Sequence, residues 1–191
     1  MNTNTLLRIG GGAAVLAGVL RAVASFGPGG SEVERQSLYL VIDLLLLLGL
    51  FTAYAQNHVA VGRWGATGFL TAVAGILVVR SSRAVPGLDL YPAGALAVAI
   101  GWVLLSTVWW RKAHGAWFVP LLLVLSLMTG LVGQIAQRSA GVFVASGVIF
   151  GAAMIGVGYQ VLLTAAAAPR NEASNVEARA ARGRVGRDSR P

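Results

Sequence analysis

The chain of 191 residues has no cysteine, a single lysine (Lys112), two histidines and only seven acidic residues. Without cysteine there is no disulfide, no thiolate metal site and no cysteine nucleophile. His58 and His114 alone are too few for a bis-histidine haem or a histidine-based metal cluster, so no metal and no cofactor is expected. Charged residues make up 12% of the chain, about half the share in an average soluble domain. Hydrophobic residues make up 56%. A soluble fold of this length leaves much of its surface in water and cannot hide so much apolar area. A lipid bilayer can take it, so the composition defines an integral membrane protein.

The net charge of +8 is unevenly placed. Six arginines lie beyond Pro169, at Arg170, Arg179, Arg182, Arg184, Arg187 and Arg190. Most of the others flank apolar runs, where positive charge sets orientation rather than binding nucleic acid. No aromatic residue is interleaved among the tail arginines, which argues against RNA. The excess of arginine over lysine, with abundant Ala and Gly, fits a GC-rich bacterial genome.

A hydrocarbon layer about 30 Å thick takes roughly 20 apolar residues as helix. Six such stretches run over residues 6–26, 37–56, 65–79, 91–110, 117–136 and 141–168. The expected fold class is therefore all-α, a six-transmembrane-helix bundle over residues 1–168. Residues 169–191 read as a basic cytoplasmic tail, too poor in large apolar residues to order itself. Arg21 interrupts the first apolar stretch and no clean small-residue cleavage site follows, so that stretch reads as a span rather than a signal peptide.

Orientation follows from charge. One side carries Arg8, Arg63, Arg111, Lys112 and the tail, whereas Arg35, Arg80, Arg83 and Arg138 on the other are diluted by Glu32, Glu34 and Asp89. Positive residues favour the cytoplasm, which puts both termini inside, in a bacterial inner membrane. Trp64, Trp109, Trp110 and Trp117 fall at the inner interface, and Tyr39 and Tyr91 at the outer one.

Small residues recur at helical spacing: Gly10, Ala14, Gly18 and Ala22; Ala93, Ala97 and Gly101; Gly147 and Gly151. Small side chains let backbones approach where no hydrophobic force drives association. These faces are expected to pack within the bundle, the alternative being a homo-oligomer or a larger complex. An offset of 81–82 residues places Gly12-Ala13 on Gly94-Ala95, and Gly49-Leu50-x4-Ala55-Gln56 on Gly130-Leu131-x4-Ala136-Gln137. With three spans per half the copies would be inverted, as in many carriers; in a chain so rich in Gly, Ala and Leu, chance matches weigh equally.

Arg21 and Asp43 are the charges set deepest in apolar sequence. By the rise of a helix they lie roughly 7–8 Å and 9 Å below the outer surface. An intramembrane charge normally has a partner, and a short loop joins the two helices, so an Arg21–Asp43 ion pair is expected. Tyr39 and Gln36 share the face of Asp43, and Arg80, Gln134, Gln137 and Arg138 complete a candidate polar vestibule. The competing reading is an interhelical staple, which one acid paired with one arginine suits better.

The run Val144-Ala145-Ser146-Gly147-Val148-Ile149-Phe150-Gly151 resembles the GxSGxxFG serine segment of rhomboid intramembrane proteases, which also have six spans. The likeness covers eight residues of one helix. It departs at Val144, where those enzymes have glycine, and in falling on the last span rather than the fourth. No histidine follows Ser146 to activate its hydroxyl. The protease reading is rejected, and no other catalytic set is recognisable. His58, His114, Asn57 and Tyr54 at the inner interface are polar but form no known constellation.

The sequence thus favours a non-catalytic multi-pass protein, an accessory or assembly subunit of a membrane complex. The alternative is a small transporter or channel using the Arg21–Asp43 region. Expected partners are the bilayer itself and, for the basic tail, anionic lipid at about 1 kcal/mol per basic residue.

Overall fold

The computed structural model describes residues 3–27, 29–81, 90–111, 117–135 and 140–188. Every regular element among them is a helix: α1 (Thr3–Ala24), α2 (Glu32–Ser81), α3 (Tyr91–Arg111), α4 (Phe118–Ile135) and α5 (Ala140–Asp188). Five helical stretches are long and apolar enough to cross a membrane, namely Asn4–Ala24, Glu32–Ala60, Gly62–Ser81, Phe118–Ile135 and Ala140–Ala167. Tyr91–Thr107 is a shorter apolar helix. Each of the six apolar sequence segments is thus helical over most of its described residues. Beyond Ala167 the helical backbone of α5 continues through the basic segment to Asp188, where Ala, Glu and Arg all have high helix propensity.

α2 is two helices joined by a reversal. Gly62 has φ 55° and ψ −148°, a region open essentially only to glycine that costs other residues about 1–3 kcal/mol and a glycine little. A straight helix would hold Asp43 and Arg80 about 55 Å apart. Their side chains are in fact bonded, and Phe69 meets both Phe51 and Tyr54 across the same hairpin, with ring centroids at 5.0 and 4.6 Å. The arms, α2a (Glu32–Ala60) and α2b (Gly62–Ser81), therefore run antiparallel. α2a begins with a capping box: the Ser31 N–H donates to Glu34 Oε2 at 2.7 Å and the Glu34 N–H to Ser31 Oγ at 3.3 Å.

Successive helices pack side by side, and α5 returns to α1, so the order of neighbours is a closed ring, α1–α2a–α2b–α3–α4–α5–α1. Two of the seams are backbone on backbone. A Cβ added at Gly68 would lie 2.8 Å from the Gly101 carbonyl, and one at Gly101 2.5 Å from that of Gly68. Gly75 and Gly94 face each other in the same way, at 2.8 and 2.9 Å. The α1–α5 seam pairs Gly18 with Gly151 and Gly11 with Gly158; a Cβ on Gly151 would sit 2.5 Å from the Gly18 carbonyl. These four pairs share a seven-residue spacing, and Gly11, Gly18, Gly68 and Gly75 recur 83 residues later as Gly94, Gly101, Gly151 and Gly158.

The stripes expected from sequence are thereby assigned to neighbours. Gly10 and Ala14 serve α2a, against Thr52 and Gly49, whereas Gly18 and Ala22 serve α5. On α3 the close contacts come from Gly94 and Gly101, not from an Ala93–Ala97–Gly101 face. Gly147 and Gly151 both turn to α1, at Ser25 and Gly18. Inside the ring Ile42, Leu50, Trp102, Leu105, Leu123 and Met154 are fully buried.

Candidate functional site

The polar residues that the fold brings together lie at the end of the bundle where α1 finishes and α2a begins, called here the Asp43 end. The opposite end carries the Gly62 reversal. Because Asp43 and Arg80 stand nearly the same number of residues before and after Gly62, the hairpin sets them at one level. Arg80 Nε donates to Asp43 Oδ2 at 2.5 Å. Their side chains are 18% and 31% exposed for Asp43 and Arg80, so the pair is half-sheltered at the rim rather than sealed in the core.

This corrects the pairing expected from sequence. Asp43 takes Arg80 as its ion-pair partner, and Arg21 instead lies over the ring of Tyr39, 6.0 Å from its centroid. The reason is geometric. α1 approaches α2a chiefly through Gly10, Ala14 and Gly49 nearer the other end, while the tight turn at Gly62 presses α2b onto α2a along its length. Arg21 stays beside this pair through Tyr39, which lies one helical turn before Asp43 on α2a. The cluster therefore holds Arg21, Tyr39, Asp43 and Arg80, drawn from α1 and both arms of α2.

The remaining vestibule residues do not join it. Gln36 donates to Glu32 Oε1 at 3.0 Å within the first turn of α2a, and Glu32 also pairs with Arg35. Gln134 is exposed on α4. Gln137 and Arg138 lie outside the described residues, as does His114.

One donor in the cluster is unspent: Arg80 Nη2 is buried and has no hydrogen-bond partner among the described residues. The same is true of the indole Nε1 of Trp102, a residue with 0% exposure on α3. The sequence reading passed over Trp102 because the other tryptophans mark interfaces; its place between Gly101 and Leu105 on a glycine-packed face was the available signal.

Ser146, the residue of the rhomboid-like run, is engaged structurally. Its Oγ donates to the Ser126 carbonyl at 2.9 Å, and Ser126 Oγ donates to the Ser146 carbonyl at 2.9 Å. This reciprocal clamp joins α4 to α5 and leaves the hydroxyl with a carbonyl rather than a base. At the Gly62 end the polar groups also bond locally: Asn57 Nδ2 donates to the Ala53 carbonyl at 2.9 Å, and His58 Nδ1 lies 2.8 Å from that of Ala55. Tyr54 is stacked on Phe69. Among the described residues no group of three His, Cys, Asp or Glu side chains is placed to hold a metal.

Fold and site together define a class: an all-helical protein with several helices apolar enough to be embedded in a membrane and, among the described residues, a cluster of charged side chains near one end. No family model, curated protein or solved structure matches the chain.

Proposed function

We propose that the protein is a non-catalytic six-span bundle of a bacterial inner membrane, acting as an accessory or assembly subunit of a membrane complex. In this reading the Gly62 end and both termini face the cytoplasm, with the basic tail near anionic lipid. The observation that carries it is the pair of glycine seams. Backbones in direct contact on two sides of the ring make a stiff unit suited to being a fixed partner, and less suited to rocking.

The order of neighbours weighs in the same direction. An inverted two-fold exchanging spans 1–3 with spans 4–6 would reverse the direction of travel around any closed ring of helices. Moving each helix three places along the ring keeps that direction. The 83-residue recurrence of glycines is therefore better explained by two similar seams than by carrier-type inverted halves. The transporter reading rests instead on the half-exposed Asp43–Arg80 pair.

The test is extraction from native membranes in mild detergent, followed by affinity purification and quantitative mass spectrometry. Stoichiometric co-purification with a defined complex is expected. Purification as a lone chain whose reconstituted vesicles show ion flux abolished by Asp43→Asn would overturn the reading in favour of transport. Because the chain lacks cysteine, single-cysteine variants at Ser31 and Arg63, labelled from each side with an impermeant maleimide, check the orientation.

A further inference from the structure

We infer that Arg80 and Arg21 form a site for a phosphate-type anion at the Asp43 end, with Asp43 as the internal counter-ion that holds Arg80 in place. This goes beyond the accessory role and does not depend on it.

Charge comes first. Among the described residues Arg80 is paired with Asp43 while Arg21 has the Tyr39 ring and no carboxylate, which leaves one positive charge over. The neighbouring acids of α2a are committed elsewhere, Glu34 to the helix cap and Glu32 to Arg35 and Gln36. The contact of Arg21 with Tyr39 does not close the account. A cation over an aromatic ring is worth about 0.5–2 kcal/mol and leaves the charge itself uncompensated. An anion compensates it.

Hydrogen bonding points the same way. Arg80 spends Nε on Asp43, while Nη2 is enclosed with no acceptor. A guanidinium carries five donors in a planar fork suited to phosphate or carboxylate oxygens. Asp43 fills one edge of that fork, and with 31% of the Arg80 side chain open there is a way in for a second acceptor.

The setting specifies an amphipathic ligand. Arg80 lies one residue from the end of α2b, and Arg21 three from the end of α1. Close by in sequence, Val23, Leu40, Leu44 and Leu77 are exposed to 64%, 49%, 57% and 62%. An anionic head at the arginines above acyl chains on these residues is the arrangement of a phospholipid in the leaflet that meets this end. A free phosphate offers the same head without the chains.

The experiment is thermal unfolding of the purified full-length chain in a mild non-ionic detergent. Phosphatidylglycerol is titrated against phosphatidylcholine at equal mole fraction, and inorganic phosphate is run at equal anion concentration. Phosphatidylglycerol should raise the melting temperature, since a ligand of the native state stabilises it. Arg80→Gln and Arg21→Gln should each raise the half-saturating fraction about tenfold, the worth of one charge-assisted bond. Asp43→Asn removes the carboxylate charge that competes with the ligand for Arg80 and should lower that fraction; a purely structural pair would lose melting temperature with an unchanged response to lipid. The basic tail is common to all variants, so its own lipid binding cancels in the comparison. A full response to inorganic phosphate with none specific to the lipid keeps the anion site and replaces the lipid by a soluble ligand. Equal responses to the two lipids with inert phosphate, or a response undiminished in Arg21→Gln and Arg80→Gln alike, refute the site. If Arg80→Gln does not fold, Arg21→Gln and Asp43→Asn decide the matter.

Discussion

The seam between α2b and α3 makes the sharpest prediction, because a single methyl group tests it. In Gly101→Ala the new Cβ would stand 2.5 Å from the Gly68 carbonyl oxygen and 2.7 Å from the Cα of Ala72. Both are backbone atoms on the facing helix, so no side chain can swing aside and the helices must part. Overpacking of this kind costs about 1–3 kcal/mol. Alanine recovers up to about 1 kcal/mol of helix propensity, and less where the unfolded chain in detergent stays helical. The net expectation is a loss of about 1–2 kcal/mol. Gly12 is the control, because it is also helical yet a Cβ there meets nothing within 4 Å. Gly12→Ala should be neutral or stabilising by up to about 1 kcal/mol. The assay is reversible unfolding in mixed micelles titrated with sodium dodecyl sulfate, followed by tryptophan fluorescence, with Trp102 adjacent to the perturbed seam. If the two substitutions behave alike, the backbone contact is not as close as described and the glycine seams lose their role. Gly151→Ala, on the other seam, should show a similar loss that adds to that of Gly101→Ala, since the two pairs share no partner.

Asp43→Asn should lower stability in lipid-free detergent by about 1–3 kcal/mol, because Arg80 is left half-buried without its counter-ion; double-mutant analysis with Arg80→Gln should recover most of that loss. Ser146→Ala removes one arm of the Ser126–Ser146 clamp and should cost about 0.6 kcal/mol, the usual worth of an interhelical hydrogen bond in membranes. A larger effect on a cellular phenotype than on stability would reopen a chemical role for that hydroxyl. Gly62→Ala forces a side chain into a positive-φ turn and should cost about 1–3 kcal/mol, measured by the same titration; an unaffected midpoint would mean that the reversal tolerates a different backbone.

The helices were legible from sequence because apolar run length is a property of single segments. Neighbour relations were only partly so. Arg21 and Asp43 could be matched in depth, and the short link between their helices made them the natural pair. Arg80 falls just past the third expected span and was placed merely at the edge of the patch; the gap between spans 37–56 and 65–79, with Asn57, His58 and Arg63 in it, implied a reversal but not one tight enough to lay Arg80 on Asp43. Equal distance from Gly62 was the missing clue. The small-residue stripes were visible, yet a four-residue rhythm on α1 could not reveal that Gly10 and Ala14 turn to one neighbour while Gly18 and Ala22 turn to another. The seven-residue rhythm of the glycine seams spans four helices and becomes apparent only once those helices are set face to face. Ser146 shows the converse, a motif-like run whose hydroxyl is accounted for by the carbonyl opposite.

The closure of the ring by α1 against α5 has a consequence for how the chain is made. Gly18 lies on α1 and Gly151 on α5, so α1 is made before its partner and its glycine face waits for α5 to be covered. Until then that face is bare backbone in lipid, open to insertases or to premature pairing with another nascent chain. Any truncation that removes the apolar part of α5 should leave a protein that inserts but does not seal, and quality-control proteases should distinguish it from the finished product. The α1–α5 seam is thus closed only once α5 has been made and packed against α1.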